Sequence, residues 1–134
     1  NPQPNTVDRT TTVSALGNGD WRDMPYRWNG RYSYQRIETV RGGGEYGRTF
    51  TLHLEGQIDP IAKLSLLGSF DWTDAQRQSR RTDSARLSYR AEAKYNQDAR
   101  RSFSLSYRID FNRNDNVGIE FVERVIAGEM NVRF

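Results

Sequence analysis

Apolar side chains recur at every second position in one segment after another, and few folds tolerate that. Residues 48–58 place Phe50, Leu52, Leu54, Gly56 and Ile58 on one side, with Thr49, Thr51, His53, Glu55 and Gln57 on the other. Residues 62–73 set Ala62, Leu64, Leu66, Gly68, Phe70 and Trp72 against Lys63, Ser65, Ser69, Asp71 and Thr73, with Leu67 alone out of phase. Segment 85–95 opposes Ala85, Leu87, Tyr89, Ala91, Ala93 and Tyr95 to Arg86, Ser88, Arg90, Glu92 and Lys94. Segment 101–111 opposes Phe103, Leu105, Tyr107, Ile109 and Phe111 to Ser104, Ser106, Arg108 and Asp110. Successive side chains of a strand point to opposite faces, so a period of two makes each segment a two-faced β-strand.

Upstream, 26–40 alternates through Tyr26, Trp28, Gly30, Tyr32 and Tyr34. Its Asn29-Gly30 is a strong hairpin signal, so the segment is either one long strand or two short ones. Residues 1–25, rich in Thr, Asn, Gly and Pro, are a linker or hold a weak first strand at 7–16, and 26–134 form the strand-bearing region. The last segment, 117–134, begins with Val117, Ile119 and Phe121 in one phase and ends with even positions apolar, which predicts a bulge near Glu123-Arg124. The sequence therefore predicts six strands, and eight at most. Turns are expected at Asp59-Pro60, at 96–100 and at 112–116, with a basic connection at 74–84 and a glycine-rich one at 41–47.

Composition narrows the class. The chain of 134 residues carries a net charge of +3, with 35 % hydrophobic and 12 % aromatic residues and no cysteine. Disulfides and Cys-based metal sites are excluded. A polar average beside many aromatics fits strands that are oily on one side only. No apolar run reaches the ~18 residues of a transmembrane helix. Eighteen of the 20 basic residues are Arg, which suits fixed, hydrogen-bonded pairs.

The polar faces carry ionisable groups in mid-strand, where a packed protein core would accept none without partners. The expected lining of a polar interior is His53, Glu55, Arg86, Arg90, Glu92, Lys94, Arg108 and Asp110. The opposite set is expected to meet lipid: Phe50, Leu52, Leu54, Leu64, Leu66, Phe70, Trp72, Leu87, Tyr89, Phe103, Leu105, Tyr107, Ile109 and Phe111. Segments of about 11–14 residues exceed the roughly 5–6 of soluble sheets and suffice for a tilted membrane crossing of about 9–11. Small residues at Gly56, Gly68, Ala85, Ala91, Ala93 and Gly128 suit lipid better than a core, which would need compensating bulk. With the faces reversed, the same alternation describes a soluble β-barrel or sandwich that carries an apolar small molecule.

The chain's last residues are Gly128, Met130, Val132 and Phe134 at alternate positions, ending in an aromatic. This resembles the β-signal that closes bacterial outer-membrane β-barrel proteins. The resemblance, over about residues 26–134, implies an all-β fold: an antiparallel transmembrane β-barrel of about 8 strands, or the C-terminal 6-strand segment of a larger barrel. It implies recognition of that strand by the barrel-assembly machinery and a place in the bacterial outer membrane among lipid and lipopolysaccharide. It also implies a periplasmic C-terminus with longer connections outside, and a role as pore, export-conduit component or structural anchor with a polar, Arg-rich lumen. Partner subunits or further barrel strands are part of that expectation, whereas nucleic acid is not: the acidic count nearly matches the basic, and no aromatic interleaves Arg77, Arg80 and Arg81.

No catalytic residue, metal ligand or cofactor is expected, and the chain is read as a non-enzyme. His53 is the sole histidine and makes a poor ligand set by itself. A membrane-embedded lipid hydrolase would need a serine beside it, and serines at Ser65, Ser69, Ser104 and Ser106 do not discriminate. Across the 96–100 turn, Arg86 is expected to lie opposite Asp110.

Overall fold

The computed structural model describes residues 6–39, 46–77, 84–114 and 118–133. They form seven strands and no helix: β1 (Thr6–Trp21), β2 (Met24–Thr39), β3 (Tyr46–Ile61), β4 (Leu64–Arg77), β5 (Ser84–Asn96), β6 (Arg101–Asn114) and β7 (Ile119–Val132). One antiparallel sheet joins them in chain order, each strand paired with its sequence neighbours. β1 and β7 are the two edges, and the sheet is not closed on itself. The all-β, antiparallel expectation holds at this level.

Residues 6–21 form a full 16-residue strand, longer than the weak segment expected at 7–16. Its alternation is hidden because Gly17 and Gly19 occupy apolar-face positions. Their missing side chains are replaced by rings from β2: Trp28 lies opposite Gly17 and Tyr26 opposite Gly19. A Cβ on Gly17 would stand 2.6 Å from the Trp28 indole nitrogen, and one on Gly19 would stand 2.8 Å from the Tyr26 hydroxyl. Aromatic cover of a cross-strand glycine restores packing that the glycine itself cannot supply. Gly17→Ala is therefore expected to push the Trp28 ring away and to cost about 1–2 kcal/mol, as overpacking does. Unfolding followed by fluorescence excited at the red edge of the indole band, with Trp28 as the only tryptophan after Trp21→Phe and Trp72→Phe, measures both effects.

The connections differ from expectation in three places, each for a physical reason. β2 runs unbroken through Asn29-Gly30 because Gly30 is paired on both sides, with Ala15 and Leu54. The hairpin turn lies instead at Arg22-Asp23, where φ is 49° and 62°. Both central residues with positive φ describe the tight turn whose twist matches its strands. Arg22 also lays its guanidinium 5.1 Å from the Trp21 ring centroid. Asp59-Pro60 is not a turn: β3 continues to Ile61, and the register slips between Ile58 and Ile61. Proline offers no N–H to a ladder, so it is accommodated where pairing is already interrupted. The turn follows at Ala62-Lys63. Third, no bulge interrupts β7, whose pairing with β6 is continuous from Val132 to Ile119. The two phases of 117–134 are resolved differently: Phe121 shares the face of Asn112, and Arg124 that of Ile109.

The 97–100 turn is closed by a backbone bond from Gln97 N to Arg101 O at 3.0 Å and braced by the Asp98 side chain. Asp98 Oδ1 accepts hydrogen bonds from the Arg100 and Arg101 amides, both at 2.8 Å, and Oδ2 accepts one from Arg101 Nε at 3.0 Å. The Arg100 amide, followed by the Arg101 charge, holds the Asp98 carboxyl below its ordinary value of 3.8. A lowered folded value means that the stabilisation is present above the unfolded value and fades as pH falls through the folded one. Protection of the Arg100 and Arg101 amides from exchange is thus expected to fall below about pH 4, and to be pH-independent in that window in Asp98→Ala.

Among the described residues no apolar side chain is buried; the only buried residue is Asp110, 2 % exposed. Ile126 is 74 % exposed and Met130 63 %. Among the described residues no second layer covers the oily side, so the apolar surface that would form a core in a soluble sandwich remains open there.

Candidate functional site

Register sorts the predicted residues onto two faces. Phe50, Leu52 and Leu54 of β3 pair in line with Asp74, Trp72 and Phe70 of β4, and these rows continue through Leu87 and Tyr89 to Phe111 and Ile109. Leu64 and Leu66 pair with Tyr95 and Ala93, which in turn face Phe103 and Leu105. Met130 and Gly128 extend those rows onto β7, and Ile126 stands beside Tyr107. Val132 lies opposite Arg101 at the sheet's end. Phe134 lies outside the described residues, as do Arg80 and Arg81.

The oily face is not flat. A row across the strands carries Gly56, Gly68 and Ala91, and the next row carries Leu54, Phe70 and Tyr89. The result is a groove of about 580 Å³, floored by the small residues and closed at its ends by Trp28 and Tyr107. Phe70 and Tyr89 form one wall, with ring centroids 5.0 Å apart. The sequence showed the small residues, but their alignment into one trough depends on register.

All eight residues expected on the polar side share the other face. His53 lies directly opposite Asp71, its Nδ1 2.5 Å from Asp71 Oδ1, and its Nε2 is 3.5 Å from Glu55 Oε2. Both ring nitrogens thus face carboxylates, which leaves neither aimed at a serine. Arg31 of β2 sits opposite His53 on its other side. Arg27, also on this face, donates to Gln57 Oε1, with Nη2 at 2.5 Å.

On β5 and β6, Arg90 and Arg108 are directly opposite one another. Like charges so placed repel, and each is answered by a carboxylate two residues along its own strand: Arg90 Nη2 to Glu92 Oε2 at 2.7 Å, Arg108 Nε to Asp110 Oδ2 at 2.8 Å. Asp110 is the hub. Arg86 Nη2 reaches its Oδ1 at 3.9 Å, and Arg108 also approaches Glu123 of β7 at 3.9 Å. Arg86 is not opposite Asp110, as expected, but opposite Asn112, while Ser88 faces Asp110. The 97–100 turn sets the register two residues away from that forecast, and the pair forms diagonally. Lys94 lies between Ser65 and Ser104.

His53, Glu55, Ser69, Arg90 and Glu92 line a depression of about 300 Å³ on this face. Among the described residues, no group of three or more His, Asp or Glu side chains is arranged to hold a metal ion. Asp71 and Glu123 were the partners that sequence alone did not single out; both stand on the polar phase of their strands, but only the register couples them to His53 and Arg108. No protein-family model, no curated protein and no solved structure matches the chain.

Proposed function

We propose that this chain forms part of the wall of a bacterial outer-membrane β-barrel, with its oily face against lipid and its charged face lining an aqueous lumen. One observation carries the reading: a single sheet of 13- to 16-residue strands buries none of its described apolar side chains, yet fixes ion pairs in mid-strand on its other side. In water such a sheet leaves its apolar area unburied and gains little from the hydrophobic effect. In lipid that face is solvated, and the backbone groups of β2 to β6 are satisfied by strands on both sides. The connections at 22–23, 62–63 and 97–100 share one end of the meander, and those at 40–45, 78–83 and 115–118 share the other, the last being no longer than 97–100. The two-residue turns against the connections at 40–45 and 78–83 support the asymmetry of barrels with short periplasmic turns and longer outer loops. A polar face of ionic pairs favours a water-filled conduit, and lipopolysaccharide and the barrel-assembly machinery are the partners such a protein meets.

The test is two-stage. The chain is expected to require detergent or bilayer for a monodisperse folded state, and a monomer soluble in buffer alone would refute the membrane reading. In planar bilayers, Arg90→Glu with Arg108→Glu is expected to shift ion selectivity toward cations. Unchanged conductance with no selectivity shift would leave an anchor rather than a pore.

The groove of about 580 Å³ favours a second reading, a soluble carrier whose sheet curls around an apolar small molecule. Detergent-free solubility together with saturable binding of a fluorescent fatty acid, lost in Gly68→Leu, would support it over the first.

A further inference from the structure

We infer that the two open edges of the sheet are completed by an odd number of antiparallel strands whose polar face is basic, and not by each other or by a second copy of the chain. Six successive antiparallel pairings make β1 and β7 run in the same direction. Direct closure of β1 on β7 would therefore be a parallel seam, the only one in the sheet. Copies assembled around a common axis in one membrane meet the same difficulty, because each seam again joins a β7 to a β1 of like direction. Only an odd number of intervening strands makes every pairing antiparallel, as an even-stranded barrel requires. The common orientation of copies rests on the barrel-wall reading; the parity of the strands does not.

Charge points to the same occupant. Within β1 the polar phase holds Asp8, Asp20 and neutral residues, and within β7 it holds Glu123, Glu129 and neutral residues; Arg133 follows the last residue of that strand. Of the interior strands, β2, β5 and β6 place Arg27, Arg31, Arg86, Arg90 and Arg108 on this face, where β5 and β6 also hold Glu92 and Asp110, whereas β3 and β4 hold His53, Glu55 and Asp71 there. Gln35 donates to Asp8 at 2.9 Å and Asn131 to Glu129 at 2.8 Å, so amides rather than cations meet Asp8 and Glu129, while Glu123 faces Arg108 at 3.9 Å. Bringing the edges together would join two strands whose polar phases carry carboxylates and no cation within the strand, so neither edge would supply the other's charge partner. A strand with Arg or Lys on its polar phase and apolar residues on the other would satisfy both the unpaired backbone edge and the charges.

The probes are two synthetic peptides of about 11 residues, long enough for one crossing: one alternating leucine with arginine, the other leucine with glutamate. Each is added to the whole chain in zwitterionic detergent, with amide exchange read strand by strand. Without peptide, β1 and β7 amides are expected to exchange much faster than those of β4. The leucine–arginine peptide is expected to slow the edge amides roughly tenfold or more and the leucine–glutamate peptide less than twofold. A variant carrying Asp8→Lys, Asp20→Lys and Glu129→Lys is expected to reverse that preference. If the triple variant loses its β-sheet circular dichroism, Glu129→Lys alone tests the β7 edge. Edge amides already as slow as those of β4 in a monomer would mean self-closure, and the same protection in a dimer would mean a second copy. Either result, or equal protection by both peptides, overturns the inference. A detergent-free soluble monomer would refute the membrane reading without bearing on strand parity.

Discussion

Leu54→Arg is expected to destabilise the folded chain in lipid by about 2–4 kcal/mol, the cost of a cation near the middle of a lipid-facing strand. Leu54 lies midway along β3 on the oily face, between Gly30 and Phe70. The same substitution on the other face is the control. Ser106, midway along β6, faces Glu92 and Ala127 across its two strands, so Ser106→Arg gains a carboxylate neighbour and is expected to change stability by less than about 0.5 kcal/mol. Denaturant unfolding in liposomes of defined composition measures both. Equal effects at the two positions would show that the faces do not differ in what they contact.

Removing Arg108 is expected to be the most damaging loss on the polar face, at roughly 1–3 kcal/mol for Arg108→Ala. The asymmetry of burial explains why. Asp110 is 3 % exposed at its side chain, whereas Arg108 is 48 % exposed. Taking away the guanidinium leaves a shielded carboxylate with Arg86 at 3.9 Å as its remaining cation. The discount from a fully buried pair reflects the solvent around Arg108. Arg90→Ala breaks a similar contact at 2.7 Å, but its carboxylate partner Glu92 is 23 % exposed and can recruit water. Its expected cost stays below about 1 kcal/mol. Asp110→Asn in the Arg108→Ala background should recover part of the loss, because it removes the stranded charge. A double-mutant cycle by denaturant unfolding resolves this, and additivity of the two changes would refute the coupling.

The faces were legible in the sequence because alternation needs only the chain itself: Leu52 beside His53 beside Leu54 specifies opposite sides whatever the strand pairs with. Pairing was not legible, since it depends on where each turn falls. Asp59-Pro60 has turn chemistry yet sits in a bulge, because Ile61 still pairs with Leu64 and the chain reverses only at Ala62-Lys63. Asn29-Gly30 has stronger turn chemistry still, but neighbours on both edges keep Gly30 extended, so tertiary pairing overrides local preference. Arg22-Asp23 carries neither glycine nor asparagine and gave no signal. The first strand was obscured for a related reason. Gly17 and Gly19 are silent in an alternation count, and their faces are filled by Trp28 and Tyr26 from the next strand. The ion-pair partners followed the same rule: His53 and Arg108 were visible as candidates, but Asp71 and Glu123 became their partners through register.

The unbroken chain-order meander has a consequence for how such a protein grows and changes. Every strand touches only those before and after it in sequence, so the sheet can extend sideways from any formed hairpin. Because no strand leaps over another, a whole hairpin can be gained or lost while the pairing of the remaining strands is preserved. Circumference therefore varies in steps of two strands, and β1 and β7 keep their relative direction through every such step.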